Sequence, residues 1–310
     1  MQSSIIGTLA DRYAIIEKIG EGNTSSVYKV RDDGISDKTA NFFYAAKVYD
    51  SNIDFINEIN IYNKINVLPC IIRCLDKGYG PFIVDNNSTQ NKYYCILEFA
   101  SHGSLDNYIT FNHSGFSENT CKIMLNDIIN HVGSLHEKGT CHKDIKPDNI
   151  LLFGNNYQMK LCDFGYSESF LDENNQKIKL KNYYGTKGFY APELGENIPF
   201  DGEKADIFSI GATIFSLLTG INIFDKTQFK SDLYELIKLI KIKKFWKKVD
   251  AIINIELSQS FKNLFIKMVR YNPNKRLSLE RIRKSEWLEG VQNLNRNIMI
   301  DELKERENLI

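Results

Sequence analysis

Asp144, Lys146 and Asn149 stand in the run His142-Lys143-Asp144-Ile145-Lys146-Pro147-Asp148-Asn149, and Asp163-Phe164-Gly165 begins nineteen residues past Asp144. The run supplies a carboxylate, an ammonium and an amide at fixed offsets, and Pro147 restricts the backbone between them. The second segment adds another carboxylate with a flexible glycine close behind. Transfer of a phosphoryl group from a metal-bound nucleotide asks for this set. One carboxylate orients the attacking hydroxyl, an amide and a second carboxylate hold Mg²⁺, and an ammonium neutralises the group in flight. A histidine and an aspartate two apart occur by chance in many chains, so the weight rests on both clusters, in this order and spacing.

These groups need a scaffold, and the chain upstream reads as strand, turn, strand. Tyr13–Ile19 alternates loosely and leads into Gly20-Glu21-Gly22, after which Val27-Tyr28-Lys29-Val30 reads as a second strand. Glycines at 20 and 22 let a turn bring backbone N–H groups near phosphate oxygens, although two glycines in a hairpin are more often only a turn. No Gly-Lys-Ser/Thr follows, which excludes a Walker A loop, and a strand rather than a helix follows, which argues against a dinucleotide fingerprint. Phe42–Val48 reads as a third strand carrying Lys47, where a lysine in apolar surroundings ordinarily snorkels to an edge. Ile53–Tyr62 has apolar residues at helical spacing, with Glu58 its one glutamate. Ile71–Leu75 and Tyr93–Leu97 read as two more strands, separated by a polar loop at Asp85–Lys92.

Downstream the pattern turns helical. Leu125, Ile128, Val132 and Leu135 fall at intervals of three and four, which predicts an amphipathic helix leading into the Asp144 run. Met159–Cys162 reads as a short strand entering Asp163. Ala205–Leu218 is apolar on nearly all sides, as a helix at the centre of a core would be, and Gly220 is placed to end it. Six lysines lie between Lys238 and Lys248, and such a run is more often one solvated face with its apolar residues packed inward than a lipid or partner surface. The mixed charges beyond Leu288 read as a short charged helix or a frayed end.

Size and composition narrow the classes. The 310 residues are 43% hydrophobic and 25% charged, ordinary for a globular protein with ample core material. Lysine plus arginine equals aspartate plus glutamate at 39 each, so no global field draws in nucleic acid or membrane, and no nucleic acid is expected as a partner. Met-Gln-Ser-Ser opens no secretory signal, and Gln2 stands where myristoylation needs glycine. The apolar stretch at Ala205–Leu218 is too short to span a bilayer. Six cysteines show neither CxxC spacing nor disulfide density, so reduced thiols and a cytoplasmic or nuclear location are expected.

The two clusters resemble the catalytic loop and DFG segment of eukaryotic protein kinases, serine/threonine type. The resemblance runs from about Tyr13 to Leu288 and includes Ala191-Pro192-Glu193, which is similar to the family's APE. It implies an α+β, two-lobed protein kinase fold. A small five-stranded N-lobe with helix C would span 13–97, a hinge 98–101 and a larger helical C-lobe 102–288, between an extension at 1–12 and a tail at 289–310. ATP would lie in the cleft between the lobes.

Roles follow from the resemblance residue by residue. Asp144 would orient the substrate hydroxyl and accept its proton, Lys146 would neutralise the γ-phosphoryl group, and Asn149 and Asp163 would hold Mg²⁺. Lys47 would bind the α/β-phosphates with Glu58 as its partner on helix C, which should be short because only eleven positions separate the two. Gly20 and Gly22 would cover the phosphates, and Ile19, Val27, Ala45 and Leu151 would sandwich the adenine. Leu97 would be the gatekeeper, with the Glu98 carbonyl and Ala100 amide facing the adenine edge. Asp206 would hold the catalytic-loop backbone, Arg276 would pair with Glu193, and Thr186 would bond Asp144 and Lys146.

A protein substrate bearing serine or threonine is implied, because Lys146 and Gly185-Thr186 resemble that branch. The rival reading is a pseudokinase, a nucleotide-binding or scaffolding module. Ser25 at the usual third glycine and the short Lys47–Glu58 span favour it, whereas Lys47, Asp144, Lys146, Asn149 and Asp163 stand against it. Relatives often place arginine before the catalytic aspartate to bind a phosphorylated activation segment. Here that residue is Lys143, and the usual phosphosite falls on Asn182, which has no hydroxyl. Basal activity without phosphorylation there is the expectation.

Overall fold

The computed structural model describes residues 5–34, 42–84, 89–110, 115–196, 198–222, 224, 233–253 and 255–309. They form two compact units, Met1–Ser101 and His102–Ile310. In the first, strands β1 (Gly7–Leu9), β2 (Tyr13–Glu21), β3 (Ser25–Asp32) and β4 (Phe43–Tyr49) precede helix α1 (Asn52–Ile65), and β5 (Cys74–Val84) and β6 (Gln90–Glu98) follow it. All pairings are antiparallel, in the order β2, β3, β4, β6, β5, with β1 pairing both β2 and β5.

Because strand side chains alternate, the register sorts this sheet into two chemistries. Tyr28 and Val30 of β3, Ala46 and Val48 of β4, and Tyr94 and Ile96 of β6 join Leu9, Tyr13 and Ile15 in one buried cluster. Full burial of side chains such as Ile15 and Val30 contributes about 1.5–3 kcal/mol each. The intervening residues Val27, Ala45, Lys47, Cys95 and Leu97 therefore share the other face, in cross-strand rows Val27–Lys47–Cys95 and Lys29–Ala45–Leu97. Helix α1 begins directly after β4. Its cap is Ser51, whose hydroxyl accepts from the Asp54 N–H at 3.2 Å.

The five expected strands are present as β2 to β6, and one more pairs with them from the extension before Tyr13. The sixth, β1, is a three-residue Gly-Thr-Leu segment too short to show alternation. Gly7 is needed there, since a Cβ would sit 2.0 Å from the Ile83 carbonyl oxygen. The strand expected at Ile71–Leu75 instead runs Cys74–Val84. Gly78, Gly80 and Pro81 look like turn residues, yet a Cβ on Gly78 would meet Tyr94 Oη at 2.7 Å, so the glycine serves close cross-strand packing. Gln90 to Lys92 of the expected polar loop belong to β6, and 85–88 lie outside the described residues. Helix α1 has 14 residues, longer at both ends than Ile53–Tyr62.

In the second unit, α2 (Asn107–Thr110) and α3 (Glu118–Glu137) precede four short strands, β7 (Thr140–Cys141), β8 (Ile150–Phe153), β9 (Gln158–Leu161) and β10 (Glu168–Ser169). Helices α4 (Pro192–Gly195), α5 (Gly202–Thr219), α6 (Leu233–Lys238), α7 (Ile242–Asp250), α8 (Gln259–Met268), α9 (Leu279–Arg283) and α10 (Asn297–Glu307) complete it. Helix α5 is buried on all sides except at Glu203 and Lys204 in its first turn. Asp201 caps it, and α8 packs so closely that a Cβ on Gly211 would meet Val269 Cγ1 at 2.7 Å. Gly220 closes it at φ +72°. Gly220→Ala should therefore destabilise the protein by about 1 kcal/mol, read as a lower denaturation midpoint, while Gly133→Ala, mid-helix and with room, should not.

The lysine-rich run is two helices broken at Ile240, where φ is +57°. Phe245 and Val249 are buried while Lys243, Lys244, Lys247 and Lys248 stay exposed or partly so, which is the solvated-face arrangement. Beyond Leu288 the chain ends in α10, docked on α3 rather than frayed. Met299 and Leu303 are buried, and Glu302 accepts from Ser117 N at 2.9 Å and Ser117 Oγ at 2.8 Å, at the cap of α3. No helix of the described residues is long and apolar enough to cross a membrane.

Candidate active site

In the first unit the face opposite the core carries the charged pair. Lys47 Nζ donates to Glu58 Oε2 at 2.7 Å, and the two side chains are 8% and 1% exposed. Buried charges persist only when paired, so β4 and α1 are held in one relative position by this contact. Gly20 lies opposite Val27, which lies opposite Lys47, so the glycine turn and the ammonium share one row. Neither Gly20 nor Gly22 has a positive φ, and a Cβ on Gly20 would reach Val27 only at 3.6 Å. Their backbone conformation does not require glycine. What they provide is backbone without side chains at the β2–β3 turn, where Gly22 N donates to the Ser25 carbonyl at 2.8 Å. Ala45 and Leu97 are buried opposite each other, while Ile19 is exposed. The Glu98 carboxylate accepts from Arg73 N and Nε, at 3.1 and 2.8 Å. Ala100 follows β6 in irregular chain.

The second unit brings Asp144, Lys146, Asn149 and Thr186 together. Pro147–Asn149 is a single 3₁₀ turn that swings the Asn149 amide back toward Asp144. Asn149 Nδ2 donates to the Asp144 carbonyl at 2.8 Å and to Asp144 Oδ2 at 3.0 Å. Thr186 N donates to Asp144 Oδ1 at 2.9 Å. Lys146 Nζ donates to Thr186 Oγ1 at 2.8 Å and lies 3.3 Å from Asp144 Oδ2. Burial opposes the Lys146 charge, but the carboxylates of Asp144, Asp148 and Asp163 outweigh it and hold its pKa above the usual lysine value. The ammonium is thus fully charged at neutral pH.

Asp163 takes a left-handed φ of +60°, and Gly165 N approaches its Oδ1 at 3.5 Å. Phe164 next to it is fully buried against the His142 ring. The His142 Nδ1 accepts from Asp144 N at 3.3 Å, which leaves Nε2 to donate to the Cys162 carbonyl at 3.0 Å. One imidazole therefore ties the residue before Asp163 to Asp144. Leu151 lies in β8, directly after the loop. The Asn149 amide spends its nitrogen on Asp144, so Oδ1 is the atom it can offer. With the Asp163 carboxylate, that makes two hard oxygen donors, a set that fits Mg²⁺.

The loop is held from below by α5. Asp206 accepts from His142 N at 2.9 Å and Lys143 N at 2.8 Å, and Thr213 Oγ1 donates to the Ile145 carbonyl at 2.9 Å. His136 supports Asp206 at 2.8 Å, a role sequence reasoning missed, since neither histidine of α3 has a motif around it. Arg276 and Glu193, placed by resemblance, form two parallel bonds of 2.6 Å in the interior. Thr186→Val should break the Lys146 tether and lower turnover by roughly 10-fold, with a much smaller change in nucleotide affinity. Steady-state kinetics with varied nucleotide would check this.

A family model described as the protein kinase domain matches residues 13–288. The chain is 29% identical over 287 residues to CBL-interacting protein kinase 26 of Oryza sativa subsp. japonica, covering 93% of this chain and 54% of that protein. It is 27% identical over 289 residues to the SNF-related serine/threonine-protein kinase of Homo sapiens, covering 92% of this chain and 34% of that one. It is also 27% identical over 304 residues to serine/threonine-protein kinase SRK2E of Arabidopsis thaliana, with 94% and 75% covered. The chain therefore spans about half or less of the length of the first two of these relatives.

Proposed function

The chain belongs to the protein kinase domain family, and from that premise we propose that it is an ATP- and Mg²⁺-dependent protein kinase acting on serine and threonine hydroxyls. The observation that carries the reading is the clamp on Asp144. One carboxylate oxygen accepts from the Thr186 N–H and the other from the Asn149 amide, with the Lys146 ammonium alongside. A carboxylate so fixed has lone pairs left to accept a hydroxyl proton. The hydroxyl oxygen attacks the γ-phosphorus, the bond to the β-phosphate oxygen breaks, ADP leaves, and the hydroxyl proton passes to Asp144. Since the transition state is loose, Asp144 acts mainly by aiming the hydroxyl.

Lys146 supplies the charge that stabilises the phosphoryl oxygens in flight, and its tether to Thr186 couples that charge to the segment before Ala191-Pro192-Glu193. Asn149 and Asp163 would hold Mg²⁺, which when bound neutralises phosphate charge. Lys47, aligned by Glu58, would bind the α/β-phosphates, Gly20 and Gly22 would leave room for them, and Ile19, Val27, Ala45, Leu97, Glu98, Ala100 and Leu151 would contact the adenine. The short Lys47–Glu58 span that favoured a pseudokinase is accommodated, because α1 starts directly after β4 and the ion pair forms.

The test is incubation with Mg-ATP carrying a labelled γ-phosphate and a generic protein acceptor, followed by phosphoamino-acid analysis. Phosphoserine and phosphothreonine are expected with the wild-type chain and background label with Asp144→Asn. Nucleotide binding with no transfer by the wild-type chain would overturn the reading in favour of a binding module.

A further inference from the structure

Lys143 carries an unusual load for the residue next to Asp144. Its backbone is left-handed, at φ +67°, and its side chain is 2% exposed. The backbone N–H is held by Asp206, but that carboxylate also serves His142 N and His136. The ammonium itself donates to Glu168 Oε2 at 3.0 Å and to the Asn182 carbonyl at 3.0 Å, with the Phe200 ring 5.9 Å away. The second Glu168 oxygen accepts from Asn182 Nδ2, also at 3.0 Å. Glu168 in turn is anchored by β10, whose Glu168 and Ser169 pair with Cys141 and Thr140, immediately before His142.

These bonds close a knot between three stretches of chain. Lys143 precedes Asp144, and Asn182 lies four residues before Thr186, whose N–H clamps Asp144. Both reach the same carboxylate. A buried ammonium deprived of its counterion must find another or move, and a movement of Lys143 or Asn182 displaces one end of the Asp144 clamp. We propose that Glu168 is a positioning residue, a built-in counterion that sets the Asp144 loop and the 182–186 segment in their working arrangement without any phosphate. The proposal rests on the kinase reading above and names the regulation of that site. It also accounts for Asn182, whose amide serves Glu168 while its carbonyl serves Lys143, where a phosphorylated residue would bring a second anion against the carboxylate.

The test uses the full chain, treated with phosphatase, as wild type, Glu168→Gln, Glu168→Ala, Lys143→Met and the double variant Glu168→Ala/Lys143→Met. Glu168→Gln keeps size and removes charge, so it guards against simple loss of packing. Glu168→Gln is expected to lower kcat by roughly 10-fold while KM for ATP stays within about 2-fold. The double variant should lose less than the two single losses combined, because both singles already remove the Lys143–Glu168 bond. Phosphatase treatment should leave most wild-type turnover. Hydrogen exchange of the amides at 182–186 should quicken in Glu168→Gln by more than in the rest of the chain, which separates a local loosening from a general loss of stability. Retention of wild-type kcat and wild-type exchange by both Glu168 variants would overturn the proposal, as would loss of wild-type turnover on phosphatase treatment. A wild-type chain with no transfer would mean that the kinase reading has failed, and the exchange result would then still decide whether Glu168 sets the segment.

Discussion

Asp144→Asn is expected to reduce phosphoryl transfer by roughly 10³–10⁴-fold with the fold intact, near the upper range for loss of a positioned general base. The substitution preserves shape but removes the charge that faces Lys146 at 3.3 Å and replaces one acceptor oxygen by a donor. Either the Thr186 N–H or the Asn149 amide then loses its acceptor, so the clamp loosens as well as losing its base. Asp163→Asn and Lys47→Met should also abolish measurable turnover, the first through weaker metal binding and the second through the phosphates. Each should be measured at saturating ATP beside a thermal melt. Lys143→Met should cost far less than Asp144→Asn. Near-wild-type turnover in Asp163→Asn or Lys47→Met, with the protein folded, would show that the assigned role is wrong.

Arg276→Ala should have the largest effect on stability, about 3–5 kcal/mol, because it strands a buried carboxylate. Its guanidinium meets Glu193 through two bonds of 2.6 Å, and the two side chains are 0% and 4% exposed. It also donates to the carbonyls of Arg270, Lys204 and Tyr271, so one side chain ties together α4, α5 and the turn after α8. Arg276→Lys keeps the charge but cannot reproduce the planar fork, and it should recover only part of the loss. Urea denaturation followed by the fluorescence of buried Trp287 would measure both. Equal midpoints for wild type and Arg276→Ala would refute the ion pair as a structural tie.

The chemistry of this protein was legible because the reacting groups sit in short runs with rigid local geometry. Between Asp144 and Asn149 a proline and one 3₁₀ turn leave the chain few ways to go, so five positions of spacing already imply that amide and carboxylate meet. The same holds for Lys47 and Glu58. A strand running straight into a helix brings the one glutamate of that helix within reach of the strand lysine. The buried helix α5 and its glycine stop were equally readable, since burial on every side leaves a long apolar run and a left-handed cap favours glycine.

What the tertiary structure alone decided are contacts between residues far apart in the chain that carry no periodicity. Strand β1 is three residues long and exists because β2 and β5 offer it partners on both sides. The glycines of β5 carry no strand signal of their own, and it is Tyr94 packed on Gly78 and Ala10 packed on Gly80 that give them a place in the sheet. His136 reaches Asp206 across 70 positions, and Glu302 reaches Ser117 across 185. Lys143 and Asn182 were visible as departures from a pattern, but Glu168 was not visible as the carboxylate that joins them. Sequence spacing constrains only what the backbone can bring together within a turn or two. Beyond that distance the partner of a buried charge is chosen by which elements pack, and packing is settled by the whole core at once.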